Sequence, residues 1–345
     1  FIGIGGSGMF PLVQILHGMG YYITGSDNNP GDTIDFERQQ MHIPVTIGQS
    51  EKNIEGADLI VHTAAIMDDN PELMAARASA VPTIERAELL GLVTSWFSNC
   101  VGVCGTHGKT TTTAMLTQMF IECGMDPSAV IGGKLEAIGG SGRLGNSEVM
   151  VCEACEFEDH FLKFHPDIAV VLNVDADHME YFKTMDHVLD SYHRFAAMAT
   201  KAVIYNGDDA NSCRAVQGIE GVKLLSFGMG EDNDYHACNI RHVDGRHTLY
   251  DLYYKQERLG QVKLNVPGEH NVLNSMAAVA AAIESGCQTQ RAVESVSAFQ
   301  GAGRRFEIMG TNKGVTIADD YGHHPAEIEV TLKAAKQMGY RQVWA

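Results

Sequence analysis

Short apolar runs alternate along this chain with stretches in which apolar residues recur every three or four positions. Phe1–Ile4 is apolar and meets a glycine loop, Met9–Met19 carries helical spacing, and Tyr21–Thr24 and Asp58–Thr63 read as further strands. Such a strand–loop–helix rhythm predicts a parallel sheet with helices on its faces. The rhythm restarts at Cys100–Cys104, which feeds a second glycine-containing loop and a helix over Thr110–Cys123. Strands are predicted at Val149–Cys152, Ile168–Asn173, Ala202–Asn206 and Lys223–Phe227. From Tyr235 to Val266 the pattern becomes short alternating strands with a turn at Asp244–Gly245. An Ala-rich helix follows at Val272–Gly286, then a third start at Gly314–Asp319 with a helix from Pro325.

Three starts in 345 residues agree with the two or three domains expected at roughly 150 residues each. The expected units are residues 1–98, 99–302 and 303–345. Both ends read as cut: Phe1 lies inside a strand, and an apolar run begins at Val343 and meets the last residue, Ala345. About 40 residues follow Arg304, where a domain of this kind needs on the order of 100 to close a core.

Charge narrows the partners. Lys and Arg number 25 against 43 Asp and Glu, a net charge of −18, which argues against general nucleic-acid binding. Eight cysteines are scattered, and only Cys152 and Cys155 form a C-x-x-C, without a second pair to complete a zinc site. Reduced thiols in a cytoplasm are expected. No apolar run reaches membrane-spanning length, and no signal peptide is visible.

The residues that carry chemistry lie where predicted strands end. Gly105-Thr106-His107-Gly108-Lys109-Thr110-Thr111 leaves a strand and opens a helix, the context of a phosphate-binding loop. Backbone N–H groups at a helix N-terminus point at phosphate oxygens, Lys109 supplies a mobile cation, and the Thr110 hydroxyl suits Mg²⁺. The usual spacing puts a first glycine at 103, which here is Val103, with Gly102 one residue early. A second glycine loop, Gly3-x-Gly5-x-x-Gly8, has Asp27 nineteen residues after Gly8. It asks only for a tight turn and close approach to a pyrophosphate, which a UDP-sugar has as well as NAD.

Four further groups of residues are weaker by themselves. The acidic stretch Glu153-Ala154-Cys155-Glu156-Phe157-Glu158-Asp159 places Glu153 to hold a metal near the phosphates, although a solvated acidic loop fits equally. Asn173-Val174-Asp175-Ala176-Asp177-His178 makes His178 a second metal ligand or a structural histidine. Gly268-Glu269-His270-Asn271-Val272-Leu273-Asn274 opens the Ala-rich helix, where Asn271 serves adenine or simply caps. Arg304-Arg305-Phe306 precedes Asp319-Asp320-Tyr321-Gly322-His323-His324-Pro325, a strand end with acids and a histidine pair too isolated to claim zinc.

In this order and spacing the six groups resemble the Mur ligase family of peptidoglycan synthesis, over essentially the whole chain. The sharpest likeness lies in Gly105–Thr112, Gly268–Asn274 and Asp319–Pro325. The resemblance implies an α/β, three-domain architecture: a Rossmann-like UDP-binding domain, a P-loop ATPase central domain, and a Rossmann-like C-terminal domain that is incomplete here. It implies an ATP-dependent amide ligase working through an acyl phosphate. Within the family the likeness is to members that join L-alanine to UDP-N-acetylmuramate; members that attach a tripeptide to the same sugar are the alternative.

Carried over by motif, Gly105, Thr106, His107, Gly108, Lys109, Thr110 and Thr111 would hold the ATP phosphates. Thr110 and Glu153 would bind one Mg²⁺ and His178 would reach a second. His270, Asn271 and Asn274 would lie around the adenine, with Arg305 and Asp320 contacting the nucleotide. Tyr321 and His323 would lie near the reacting groups, His323 as a candidate base. Gly5, Gly6, Ser7, Gly8 and Asp27 would hold the UDP. Two departures stand out: Cys155 replaces a frequent Asp, and His193 falls where several members carry a carbamylated lysine. The cut third domain implies that this stretch alone binds nucleotide and UDP-sugar without forming amide.

Rival readings each leave a site idle. A nicotinamide dehydrogenase has no use for the phosphate loop, and a P-loop kinase or GTPase has none for residues 1–98. A nucleotide-gated regulator does not need both Glu153 and His178.

Overall fold

The computed structural model describes residues 1–243 and 247–345, so the turn expected at Asp244–Gly245 lies outside the described residues. The N-terminal part is a small parallel sheet. Strands β1 (Gly25–Asp27) and β2 (Val45–Ile47) pair in parallel, as do β3 (Ile60–His62) and β4 (Thr83–Glu85). Ile2 joins the two pairs through single bridges to Ser26 and His62, giving the order β2-β1-Ile2-β3-β4. Helices Phe10–Gly18, Asp32–Gln39, Pro71–Ala78 and Arg86–Thr94 accompany it. The strand expected at Tyr21–Thr24 is displaced onto β1: Tyr22 is 86% exposed, while Gly25 pairs because a Cβ there would lie 2.5 Å from the Ile4 side chain.

The centre of the molecule is a ten-stranded sheet. Its strands are β5 (Asn99–Cys104), β6 (Ser128–Leu135), β7 (Gly140–Arg143), β8 (Val149–Glu153), β9 (Ile168–Val171), β10 (Ala202–Asn206), β11 (Lys223–Gly228), β12 (Tyr235–Val243), β13 (His247–Tyr254) and β14 (Glu257–Leu264). They lie in the order β14-β13-β12-β11-β10-β9-β5-β8-β6-β7. The run from β12 to β6 is parallel, and antiparallel strands close both sides. Crossover connections put helices on both faces, so the middle strands are apolar on both sides. On β5, Val101 and Val103 enter the core beneath helices Lys109–Glu122 and His270–Glu284. Cys100 and Cys104 enter the opposite core with helix Met185–Ala197 and with Leu12 and Val13 of the N-terminal part. Burial of that apolar surface, at roughly 25 cal/mol per Å², is the main stabilising term.

The C-terminal residues form a hairpin of β15 (Glu307–Asn312) and β16 (Val315–Asp319), then helix Pro325–Gln337. The apolar run from Val343 forms no strand. Among the described residues no helix is long and apolar enough to cross a membrane.

Glu37 yields a stability prediction. It is fully buried, and neither carboxylate oxygen has a hydrogen-bond partner. Burial, aided by Asp27, pushes its pKa up to about 7 from 4.5. The folded state therefore binds this proton more tightly than the unfolded chain. Its contribution is fully present below pH 4.5 and is lost as pH rises through 7. Glu37→Gln is expected to remove this pH dependence and to raise stability at pH 8 by on the order of 2–3 kcal/mol relative to the parent. Urea unfolding of both proteins at pH 5 and pH 8 checks it; parallel pH profiles would refute it.

Candidate active site

The phosphate loop is built by the end of β5 and the start of helix Lys109–Glu122. Its turn begins at Gly105, with φ +144°, and finishes at Gly108, with φ +87°. Val103, standing where the usual pattern has glycine, is a buried β5 residue, so the loop does not need a glycine there. Asn173, beyond β9, clamps the loop from the side. Its side chain accepts from the His107 N–H at 2.8 Å and donates to the His107 carbonyl at 3.0 Å. Its own carbonyl accepts from the Thr106 N–H.

Lys109 is folded over the loop. Its ammonium donates to the Gly105 and Thr106 carbonyls and, at 2.9 Å, to Glu156 Oε1. Glu156 is almost wholly buried and its Oε2 has no hydrogen-bond partner. Burial alone would lower the lysine pKa, but the charge of Glu156 above all, with that of Glu153, carries it above its usual value. Lys109 therefore stays cationic. Burial raises the Cys155 thiol, so that position adds no negative charge of its own near neutral pH.

Beside this pair, the Thr110 hydroxyl donates to Glu153 Oε1 at 3.1 Å, and Glu153 Oε2 accepts from the Gly132 N–H at 2.8 Å. Glu153 ends β8, the parallel neighbour of β5, which is why it faces Thr110. The predicted pairing of Thr110 with Glu153 is thus present. His178 occupies a left-handed backbone position, with its ring edge-on to Phe157 at 4.9 Å. Its ion-pair partners are Asp177 at 3.8 Å and Glu180 at 3.5 Å, and one ligand atom each from Glu156, Asp177 and His178 lies within 4.8 Å of the others. Glu156 thus links Lys109 to the His178 group. In the sequence it was one of four carboxylates in seven residues, and only the fold separates its role from that of Glu153.

His270, Asn271 and Asn274 open the long helix next to the loop. Asn271 donates to the Pro267 carbonyl and accepts from Asn274, so it is held inside the helix and does not cap it. A Cβ on Gly108 would lie 2.6 Å from Asn274 Oδ1, which shows how closely this helix approaches the loop. Burial pushes His270 down to about 4 against the pull of Asp320, so the ring is neutral near pH 7.

From the C-terminal part, Arg305 reaches Thr110 Oγ1 at 3.2 Å. Arg304 and Arg305 both lie over the Tyr321 ring. Asp320 accepts the Phe306 and Gly322 N–H groups, which fixes the approach of β16. His323 is exposed, edge-on to Tyr321. Glu327 accepts from His107 Nδ1 at 3.2 Å. Burial pushes its carboxyl up, but bonds from His107 and the His323 and His324 N–H groups hold it at about 2.

The first glycine loop is separate. Gly5 N–H donates to Asp27 Oδ2 at 3.0 Å, and the backbone of Gly6, Ser7 and Gly8 is exposed. A Cβ on Gly8 would lie 3.5 Å from Arg86 Nε, so a guanidinium lies beside the end of the loop. No sequence spacing signals Arg86; it arrives with the helix after β4. His193, away from all these groups, has its Nδ1 2.8 Å from the Ala215 carbonyl.

Comparison with known proteins follows the same three parts. Residues 1–97 match the domain described as Mur ligase family, catalytic domain. Residues 103–282 match the Mur ligase middle domain, and residues 304–345 the Mur ligase, glutamate ligase domain. The UDP-N-acetylmuramate–L-alanine ligase of Caldanaerobacter subterraneus is 41% identical, over all of this chain and 75% of its own length. The crystal structure of the UDP-N-acetylmuramate–alanine ligase of Thermotoga maritima superposes with a TM-score of 0.85 at 28% identity, covering 98% of this chain and 77% of that one. The UDP-N-acetylmuramate:L-alanyl-γ-D-glutamyl-meso-diaminopimelate ligase of Neisseria meningitides superposes at 0.80 with 26% identity, covering 88% and 98%.

Proposed function

The chain belongs to the Mur ligase family, and on that premise we propose that it is an ATP-dependent ligase joining L-alanine to UDP-N-acetylmuramate in peptidoglycan precursor synthesis. The observation that carries this reading is one convergence. Lys109 and Thr110 of the phosphate loop meet Glu156 and Glu153 of the β8 end, in a chain that matches an L-alanine ligase along its whole length.

The chemistry follows from the substrates. A carboxylate is a poor acyl donor because oxide is not a leaving group. Transfer of the γ-phosphoryl group of ATP to the sugar's carboxylate gives an acyl phosphate. The neutral amine of L-alanine attacks its carbonyl, and phosphate leaves from the tetrahedral intermediate. Positioning and charge neutralisation supply most of the acceleration. Lys109 is assigned to the β/γ-phosphates and the loop 105–111 to the phosphate oxygens, except for the Thr106 and His107 N–H groups, which Asn173 already holds. His270, Asn271 and Asn274 are assigned to the adenine, Arg305 and Asp320 to the nucleotide from the C-terminal side. His323 is assigned to take the amine proton.

The donors suit Mg²⁺, a hard ion that prefers oxygen. Thr110 and Glu153 would hold one ion. Glu156, whose Oε2 is buried without a partner, would hold a second with Asp177 and His178. Bound there, Mg²⁺ supplies positive charge against the phosphates.

Residues 1–98 are assigned to the UDP-sugar, through Gly5, Gly6, Ser7, Gly8 and Asp27, with Arg86 facing the pyrophosphate. Residues 99–302 are assigned to ATP, with residues 303–345 contacting the nucleotide from the C-terminal side. We assign the reaction to the cytoplasm, a reading with which eight free cysteines agree. The test is calorimetry with UDP-N-acetylmuramate and NAD, then product analysis of the natural full-length chain with L-alanine and with the tripeptide. UDP-sugar binding and an L-alanine product are expected. Tight NAD binding would overturn the assignment of residues 1–98, and preference for the tripeptide would overturn the acceptor.

A further inference from the structure

Three side chains outside the contacts assigned above converge beside the phosphate loop. They are His107 of the loop, Asp175 after β9, and His324 just before helix Pro325–Gln337. One ligand atom from each lies within 4.8 Å of the others, and the two imidazole rings are 4.8 Å apart. His107 is the best prepared. Its backbone is clamped on both sides by Asn173, and its Nδ1 is held by Glu327. Its Nε2 is buried and has no hydrogen-bond partner. A histidine with one nitrogen on a carboxylate and the other buried without a partner, next to a second histidine and an aspartate, has the outer-shell arrangement of metal-ligating histidines. Asp175 spends one carboxylate oxygen on the Ala176 N–H, which fixes its turn.

We propose that His107, Asp175 and His324 form a binding site for a divalent transition ion of the zinc class, separate from the oxygen-rich positions assigned to Mg²⁺. Two imidazoles and one carboxylate suit Zn²⁺ or Co²⁺ far better than Mg²⁺, which takes oxygen ligands in octahedral geometry. Three protein ligands leave a fourth position for water or a substrate oxygen. The ligands come from three distant parts of the chain, so an ion here cross-links the phosphate loop to the C-terminal helix. It would hold that helix against the loop and slow any cycle that requires the two to part. The role belongs to the His107 imidazole and leaves its backbone N–H out of account.

The experiment is Co²⁺ titration of the natural full-length chain in excess Mg²⁺, read by visible absorption, where tetrahedral Co²⁺ gives intense bands and octahedral Co²⁺ weak ones. One equivalent with intense bands is expected, displaced by Zn²⁺. His324→Ala and Asp175→Asn should each weaken binding at least 10-fold, and Glu327→Gln roughly 10–100-fold. His178→Ala should leave the bands intact. Circular dichroism and Mg²⁺–ATP binding show that each variant is folded. The proposal is overturned if the parent gives no intense band, if His178→Ala removes it, or if folded His324→Ala and Asp175→Asn bind Co²⁺ as the parent does.

Discussion

Lys109→Ala in the natural full-length chain is expected to lower phosphate release roughly 10³-fold, the loss typical of removing a preorganised group that neutralises transition-state charge. The same change should destabilise the fold. Glu156, its side chain 3% exposed, would keep a buried carboxylate with its cation gone. Breaking a buried pair from one side costs about 3–5 kcal/mol. These two consequences separate in a double variant. Lys109→Ala with Glu156→Gln should recover most of the stability and none of the activity. Thermal unfolding and a phosphate-release assay on the single and double variants decide the matter. A folded Lys109→Ala protein with normal turnover would refute the assignment.

Glu153→Gln is the second large effect, expected at roughly 10²-fold or more in kcat. The amide can still accept from Gly132 or Thr110, so the local fold should survive, but the one carboxylate charge assigned to an ion beside Thr110 is gone. A gentler route to the same group is Gly132→Ala. The added Cβ would lie 2.5 Å from Glu153 Oε2, so the carboxylate must shift from its place between Gly132 and Thr110. A smaller loss of kcat, with raised demand for Mg²⁺, is expected. Mg²⁺ titrations of activity for both variants check this. An unchanged Mg²⁺ dependence in both would remove Glu153 from the metal site.

The parallel core was legible because strands buried on both faces must be nearly continuous apolar runs, and β5, β8, β9 and β10 are such runs. Edge strands carry no such constraint. β7 reads Gly-Ser-Gly-Arg, and β15 is exposed along its length, so neither announces itself. Tyr21–Thr24 misled for the opposite reason: apolar side chains there need not pair, whereas Gly25 pairs because it leaves room for Ile4. In the site, Lys109, Thr110 and Glu153 were legible because each is fixed by one strand end. Glu156, Asn173 and Arg86 were not, since their roles depend on which side of the sheet each loop falls.

The bond between Lys109 and Glu156 also bears on what the loop rejects. Phosphate is both a product of the reaction and an abundant solute, and a loop with a free ammonium would hold it. Here the cation is already satisfied by Glu156 and by two carbonyls. A lone phosphate dianion gains little by entering, because it must compete with a buried carboxylate for the same proton donors and repel it at close range. A triphosphate carrying Mg²⁺ would bring its own counter-charge to Glu156 and leave the lysine to the phosphates. On the proposed function, the loop would favour the energised nucleotide over spent phosphate before any chemistry begins.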